Sequence, residues 1–524
     1  MKFSLRNNFI IALAVFVSFV VLDSIGLSKT GMLWDELAVA TNGETYIGYF
    51  KNLNFSQRNW SLNDEHPPLG KYIYGVARKI TKASSFLTRL DPLYPESRSL
   101  TFSRFFSVLM GGISLAVLFL MSTKYFGRGV GLLAVLFLGT NPHFLAYTRI
   151  ACLEMPILMF SLLFVWAFLT ALNRDTPKTG YSRFGSIPTW VVVGVLLGAA
   201  LASRFNGVFL CFLYETGLLL FYKKDLFTKK HIWKVFISAL SLIFLYIIWP
   251  WLWQDPVRNF LESIDRGLEV HIKEYFLGRY SFNTPFYYFI YFLATVPLLQ
   301  LFFFAFEILG RFFRVKGKPL KRDSFLIIFL FLYFLTPFLA SFVPLKQDGI
   351  RYVQFYLPAF AILSALGFYN LILRVRNYST LRVGIIIGVV LCSLYIPFRF
   401  YPYYMDYYNK LFGSLQKIAQ NKTFEMGWWG EGSLEAVGKV NSIAKPGERV
   451  FVDFAPGHTV PSFLEGIRTI RNRGADPDYI ILNLFAKWYG DGDKTESYIK
   501  EQNYKLIYEV KVADKVTIVW VYGK

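Results

Sequence analysis

The chain has 524 residues, of which 54% are hydrophobic, 19% aromatic and only 17% charged. A soluble domain carries about 25% charged residues, so this composition excludes both an ordinary soluble enzyme and a disordered chain. The net charge of +21 would suggest nucleic acid in a soluble protein. Here the basic residues sit in short clusters between long apolar runs, the charge pattern of a polytopic membrane protein, and no nucleic-acid partner is implied.

The first apolar run, Phe9 to Leu27, follows the basic start Lys2 and Arg6. It is long enough to span a bilayer and no small-x-small cleavage site precedes Trp34, so it reads as a retained helix rather than a leader. Further spans are predicted at 103–121, 129–146, 155–172, 189–203, 207–222, 232–250, 286–308, 324–343, 352–373 and 383–399, eleven in all. The two short ones around Ser203-Arg204-Phe205-Asn206-Gly207 read either as a bent hairpin or as one long span. With the N-terminus inside, the inner segments collect Lys124, Arg128, Lys223, Lys224, Lys229, Lys230, Arg311, Arg314 and Arg374 with few acids. The positive-inside rule then places the N-terminus in the cytoplasm and the tail outside. Cys152, Cys211 and Cys392 are far apart and give no disulfide framework or metal motif.

Three outer segments stand out: 28–100, 251–285 and 400–524. The tail has nearly balanced charge and strand-like runs at 449–454, 478–482 and 515–521, with helical stretches between the first of them. It reads as a small extracytoplasmic α/β domain, 401–524, on a membrane domain of 1–400. No internal repeat is evident.

Chemistry is expected where ionisable residues gather at the outer face. Trp34-Asp35-Glu36 opens the first outer segment, which continues with Asn63-Asp64-Glu65-His66-Pro67-Pro68-Leu69-Gly70-Lys71. Two prolines stiffen the backbone and Gly70 allows close approach beside a cation, a rigid turn presenting Glu65, His66 and Lys71. A plain helix N-terminus is the competing reading. Arg149 and Glu154 lie at the lip of two apolar helices, where an unpaired charge costs about 2.5–3.5 kcal/mol, and their spacing allows a salt bridge across the turn. Lys346 and Arg351 put two cations in a short outer loop that should be poor in them, which suits either an anionic lipid phosphate or interfacial snorkelling.

Together Asp35-Glu36, the HPPLGK run at 66–71, the string from Arg149 to Pro156, RYVQFYLPAFAIL from Arg351 and YYNKLFG near 407 resemble the protein O-mannosyltransferase superfamily. HPPLGK is the most specific of these elements. Bacterial aminoarabinose transferases acting on lipid A share that architecture. The resemblance covers roughly residues 1–415 and implies a GT-C fold and an enzyme that uses a polyprenyl-phosphate sugar. Two departures are visible: the 251–285 segment is too short for the β-trefoil insertion of eukaryotic members, and Glu154 stands where the family commonly has Asp. The run Gly427 to Gly432 is similar to one in prokaryotic members, favouring a prokaryotic plasma membrane over the endoplasmic reticulum.

The resemblance implies an inverting transfer of a sugar, mannose first, from a polyprenyl or dolichyl phosphate to an acceptor hydroxyl. The acceptor is protein Ser/Thr, with lipid or cell-envelope polysaccharide as the alternative. Asp35 is the expected general base with Glu36 beside it. Arg149, Lys71, Lys346 and Arg351 are the cations expected to hold the leaving phosphate. Glu65, His66 and Glu154 are expected to orient substrate. Glu65 and His66 could take part in binding a divalent metal, although two ligands do not make a site. A transporter, with ionisable groups inside its spans, and a non-enzymatic assembly protein remain open at this point.

Overall fold

The computed structural model describes residues 2–175, 183–269, 273–281, 286–312, 322–342, 347–375 and 377–524. All eleven predicted segments are helical over most of their length. Among the described residues, seven helices are long and apolar enough to cross a membrane, or up to nine if each of two bent pairs is one span. The remaining two segments are the shorter apolar helices Ile187–Ser203 and Ile232–Ile248, so length alone does not make eleven crossings.

The bends have local causes. The segment predicted at 129–146 breaks into Arg128–Gly139 and Pro142–Thr148 at 68°. Pro142 lacks an amide hydrogen, and the Asn141 side chain caps the new helix by accepting from the amides of His143 and Phe144 at 3.1 and 3.2 Å. The segment at 286–308 breaks into Tyr287–Thr295 and Leu298–Arg311 at 117°, around Val296-Pro297. Carbonyls freed by this break need partners where water is scarce. Asn409, from the YYNKLFG run, supplies them: its side-chain amide donates to the carbonyls of Leu293 and Val296, and its backbone N–H to that of Ala294.

The first outer segment folds into helices Glu36–Lys51 and Leu69–Lys82, packed backbone to backbone. A Cβ on Gly75 would lie 2.2 Å from the Gly43 carbonyl carbon, so any side chain there would force the helices apart. This close crossing brings the start of one helix, with Asp35 and Glu36, beside the start of the other, with His66 and Lys71. The 251–285 segment provides helix Pro256–Glu269 and a short hairpin, β1 (Glu274–Phe276) and β2 (Arg279–Ser281).

The tail contains a five-stranded sheet of β3 (Arg449–Asp453), β4 (Arg468–Ile470), β5 (Tyr479–Asn483), β6 (Lys505–Val512) and β7 (Val516–Gly523), in the order β4-β3-β5-β7-β6. β3 pairs in parallel with β4 and β5, and the other pairs are antiparallel. The predicted strands at 449–454, 478–482 and 515–521 are β3, β5 and β7. The two edge strands had no comparable signal: β4 is three residues long, and β6 interleaves Lys and Glu with its apolar residues.

Candidate active site

A buried ion network lies where helices Glu36–Lys51 and Glu154–Arg174 begin. Arg351 donates to Asp35 through Nη2, to Glu154 Oε1 through Nε at 2.7 Å, and to Asp348 Oδ2 through Nη1 at 2.7 Å. Glu154, fully buried, also accepts from Arg204, whose guanidinium lies 4.2 Å from the Tyr352 ring centre. Three carboxylates, Asp35, Glu154 and Asp348, thus gather on two guanidinium groups. Asp35 differs from its partners in being accessible, with 36% of its side chain exposed against 7% for Arg351. It occupies the N-cap of helix Glu36–Lys51 without using its carboxylate as a cap, which leaves that carboxylate for Arg351 and the space beyond.

That space is a cavity of about 120 Å³ lined by Asp35, Asn63, Glu65, His66, Lys71, Arg266 and Arg351, with Val39, Leu153, Phe205, Asn206 and Tyr352 as neighbours. Glu65 and His66 are half-buried on its wall, and the His66 ring meets Phe205 edge-on. The Lys71 ammonium donates to the carbonyls of Asn63 and His66, tying down the proline turn from beneath. Burial pushes the Lys71 amine down to about 7. Arg266, from helix Pro256–Glu269, bonds Asp64 and also lines the cavity. Burial pushes the Asp64 carboxyl up.

The tail packs behind Arg351 and does not itself line the cavity. The Trp429 ring lies over the Arg351 guanidinium at 4.3 Å. Trp34 donates its backbone N–H to the Trp429 carbonyl at 3.0 Å, and its own carbonyl is 2.9 Å from His458 Nε2. The Gly427–Gly432 run is held by two buried carboxyls: Asp406 accepts from the Gly427 amide at 2.8 Å and Glu431 from the Trp429 amide at 2.9 Å. Each has a second oxygen without a hydrogen-bond partner. Burial pushes both carboxyls up, Glu431 to about 7.

Several expectations change. Glu36 does not face the cavity. It is wholly buried, grips Arg104 with both oxygens at 2.7 and 2.8 Å, and accepts from the amides of Leu33 and Ala151. Its acceptor sites are taken, so it fixes the turn that carries Asp35 and has none left for another donor. Arg149 and Glu154 do not pair across their turn. Arg149 bonds Asp23 and the carbonyls of Asp23 and Ile25 at the end of the first helix, away from the cavity, while Glu154 turns to Arg204 and Arg351. Glu154 therefore holds cations and does not line the cavity itself. Lys346 lies outside the described residues.

Arg204, Arg266 and Trp429 were not singled out from sequence. Arg204 could have been found by the reasoning applied to Arg149, since it is an arginine between two apolar helices. Arg266 sits in an amphipathic helix with nothing to mark it. Among the described residues no group of three or more His, Cys, Asp or Glu side chains is placed to hold a metal ion. Of Asp23, Glu215 and Glu307, the acids that lie well inside apolar segments of the sequence, Asp23 is committed to Arg149 and Glu307 to Arg311 and Asn370, which leaves those two poor ion carriers for a transporter.

Residues 97–251 match the family model described as dolichyl-phosphate-mannose-protein mannosyltransferase. Among solved structures, ArnT from Cupriavidus metallidurans bound to undecaprenyl phosphate is similar at 12% identity and a TM-score of 0.51, covering 97% of each chain. Its apo state is similar at 13% identity and the same TM-score of 0.51. The Archaeoglobus fulgidus oligosaccharyltransferase in its apo form is similar at 13% identity and a TM-score of 0.50, over 93% of this chain and 71% of that one. No curated protein matches. The resemblance read from the motifs is borne out at the level of the superfamily: the chain is helical, polytopic and has the GT-C fold.

Proposed function

We propose that this protein is an inverting glycosyltransferase that moves a sugar from a polyprenyl-phosphate carrier to an acceptor hydroxyl at the outer membrane face. The observation that carries this reading is the Asp35–Arg351 pair at the rim of a cavity that Lys71 and Arg266 also line. A hydroxyl is a poor nucleophile, and a carboxylate beside it can accept its proton as the new glycosidic bond forms. The departing lipid phosphate gathers negative charge and needs fixed cations in a partly dry site. Arg351 serves both ends. A phosphate arriving at its guanidinium competes for the Nη2 hydrogen bond and releases Asp35 toward the acceptor.

With Asp35 as base and Glu65 assigned to sugar hydroxyls, the reading is a single displacement with inversion; retention would need a second carboxylate as nucleophile. Glu65 and His66, on the cavity wall, are assigned to sugar hydroxyls in this reading. The lipid phosphate bound by the Cupriavidus protein of the same fold supports a carrier of that class, and the family model supports mannose as the first sugar to test. The acceptor hydroxyl belongs to a protein Ser/Thr or to a lipid or envelope glycan. The charge asymmetry of the loops supports a cytoplasmic N-terminus, with the site and the 401–524 domain outside, in a prokaryotic plasma membrane.

The test is transfer in vesicles by purified protein, offered labelled polyprenyl-phosphate mannose with Ser/Thr peptides or glycans, comparing wild type with Asp35→Asn. Transfer that disappears in the variant while donor binding persists supports the assignment. Full turnover by Asp35→Asn removes Asp35 as the base, and silence with every lipid-linked sugar removes the activity.

A further inference from the structure

A second cleft, of about 470 Å³, lies on the tail between the short helices Leu415–Gln420 and Leu484–Tyr489 and strand β7. Half-buried Trp488 and Trp520 line it, with Gln416, Gln420, Lys515 and Asp493 among the polar groups beside them. Two large rings left partly uncovered next to amide, ammonium and carboxylate groups form a recognition surface rather than a core.

The rings also lead somewhere. Trp488 meets Tyr275 of the β1–β2 hairpin at 5.9 Å between ring centres, Tyr275 meets Tyr489 at 5.2 Å, and Tyr489 meets Phe485 at 4.6 Å. Phe485 then meets Trp34 at 6.1 Å, and Trp34 is the neighbour of Asp35 in sequence. Trp34 is 39% exposed and the other four rings are half-buried, so one aromatic series runs from the cleft to the rim of the candidate active site.

From this geometry we infer that the cleft and the aromatic series bind the acceptor, and that the acceptor is an oligosaccharide chain. The inference rests on the glycosyltransferase reading and specifies its acceptor. A pyranose presents a face of weakly positive C–H bonds that lies well on the negative face of an aromatic ring, while its rim of hydroxyls bonds amides, ammonium groups and carboxylates. A peptide cannot bind here by adding a strand, since β7 lies inside the order β4-β3-β5-β7-β6, paired on both sides. The lysines of the cleft also suit sugars that carry a carboxylate. Lys515 is exposed there, and Lys487 lies over the Trp520 ring while bonding Glu496.

The experiment measures binding without donor, using the full chain in lipid nanodiscs and two probe ladders, oligomannosides and oligogalacturonides, each from disaccharide to hexasaccharide. Affinity should rise with chain length in at least one ladder. Trp488→Ala and Trp520→Ala should each weaken the longest probe by about tenfold, roughly the worth of one stacked ring. Trp488→Tyr should restore most of the loss. Absence of length-dependent binding in both ladders overturns the proposal, as does binding that neither tryptophan substitution affects. Ser/Thr peptides that bind instead, and are lost on the same substitutions, overturn it in favour of a protein acceptor. Because no donor is present, failure here is separate from failure of sugar transfer.

Discussion

Glu154 and Asp35 bond the same arginine, yet replacing them should have opposite consequences. Glu154 is fully buried and is the acid that Arg204 pairs with, so Glu154→Gln leaves two buried guanidinium groups facing an amide. Removing one partner of a buried ion pair costs about 3–5 kcal/mol, because the remaining charge stays desolvated. Asp35 is about one-third exposed, and in Asp35→Asn the arginine keeps Glu154 and Asp348, each at 2.7 Å. Because no buried guanidinium is left without a carboxylate and the replaced group is partly solvated, the loss should be about 1 kcal/mol, well below that for Glu154→Gln. Thermal inactivation of both variants in the same detergent should therefore show Glu154→Gln failing several degrees below wild type and Asp35→Asn close to it. Transfer assays at a temperature where both are folded should show Asp35→Asn inactive. If Asp35→Asn loses as much stability as Glu154→Gln, Asp35 is a structural member of the network and the assignment of the base fails.

Arg149→Ala should strip Asp23 of its cation and lower the yield of folded protein, while donor affinity per folded molecule stays at the wild-type value; a selective loss of donor affinity would return Arg149 to the site. Lys71 is protonated below about 7, so the affinity for the anionic donor should fall as pH rises through that value, and Lys71→Met should flatten the dependence in donor titrations. Glu431 is raised from 4.5 to about 7 by burial. Its contribution to stability is fully present below pH 4.5 and is lost as pH rises toward 7, so Glu431→Gln should gain thermal stability relative to wild type above pH 7 and lose that advantage in acid. A melting profile for the two proteins with the same pH dependence would refute the assignment.

The membrane helices were legible because twenty-residue apolar runs have few alternative fates, and every predicted segment is helical. Bends were not, because Pro142 and Pro297 sit inside runs whose average hydropathy conceals them. At the site, Asp35, Lys71 and Arg351 could be picked out as polar groups at outer helix ends, and the structure brings them to one cavity. Pairing was not readable. Arg149 and Glu154 are neighbours in sequence, but each finds its partner far along the chain, because sequence spacing says nothing about which helix ends meet. Glu36 shows the same limit from the other side. Adjacent acids look alike in a sequence, and only the fold assigns one to Arg104 and the other to open space.

Trp429 comes from the tail, yet it covers Arg351, and the backbone of Trp34 is stitched to the same run. During synthesis every apolar helix leaves the ribosome before that tryptophan does. The Arg351 guanidinium therefore meets its covering ring only after the helices that carry its carboxylate partners have been made, so this cover is a late addition to a network whose charges are already synthesised.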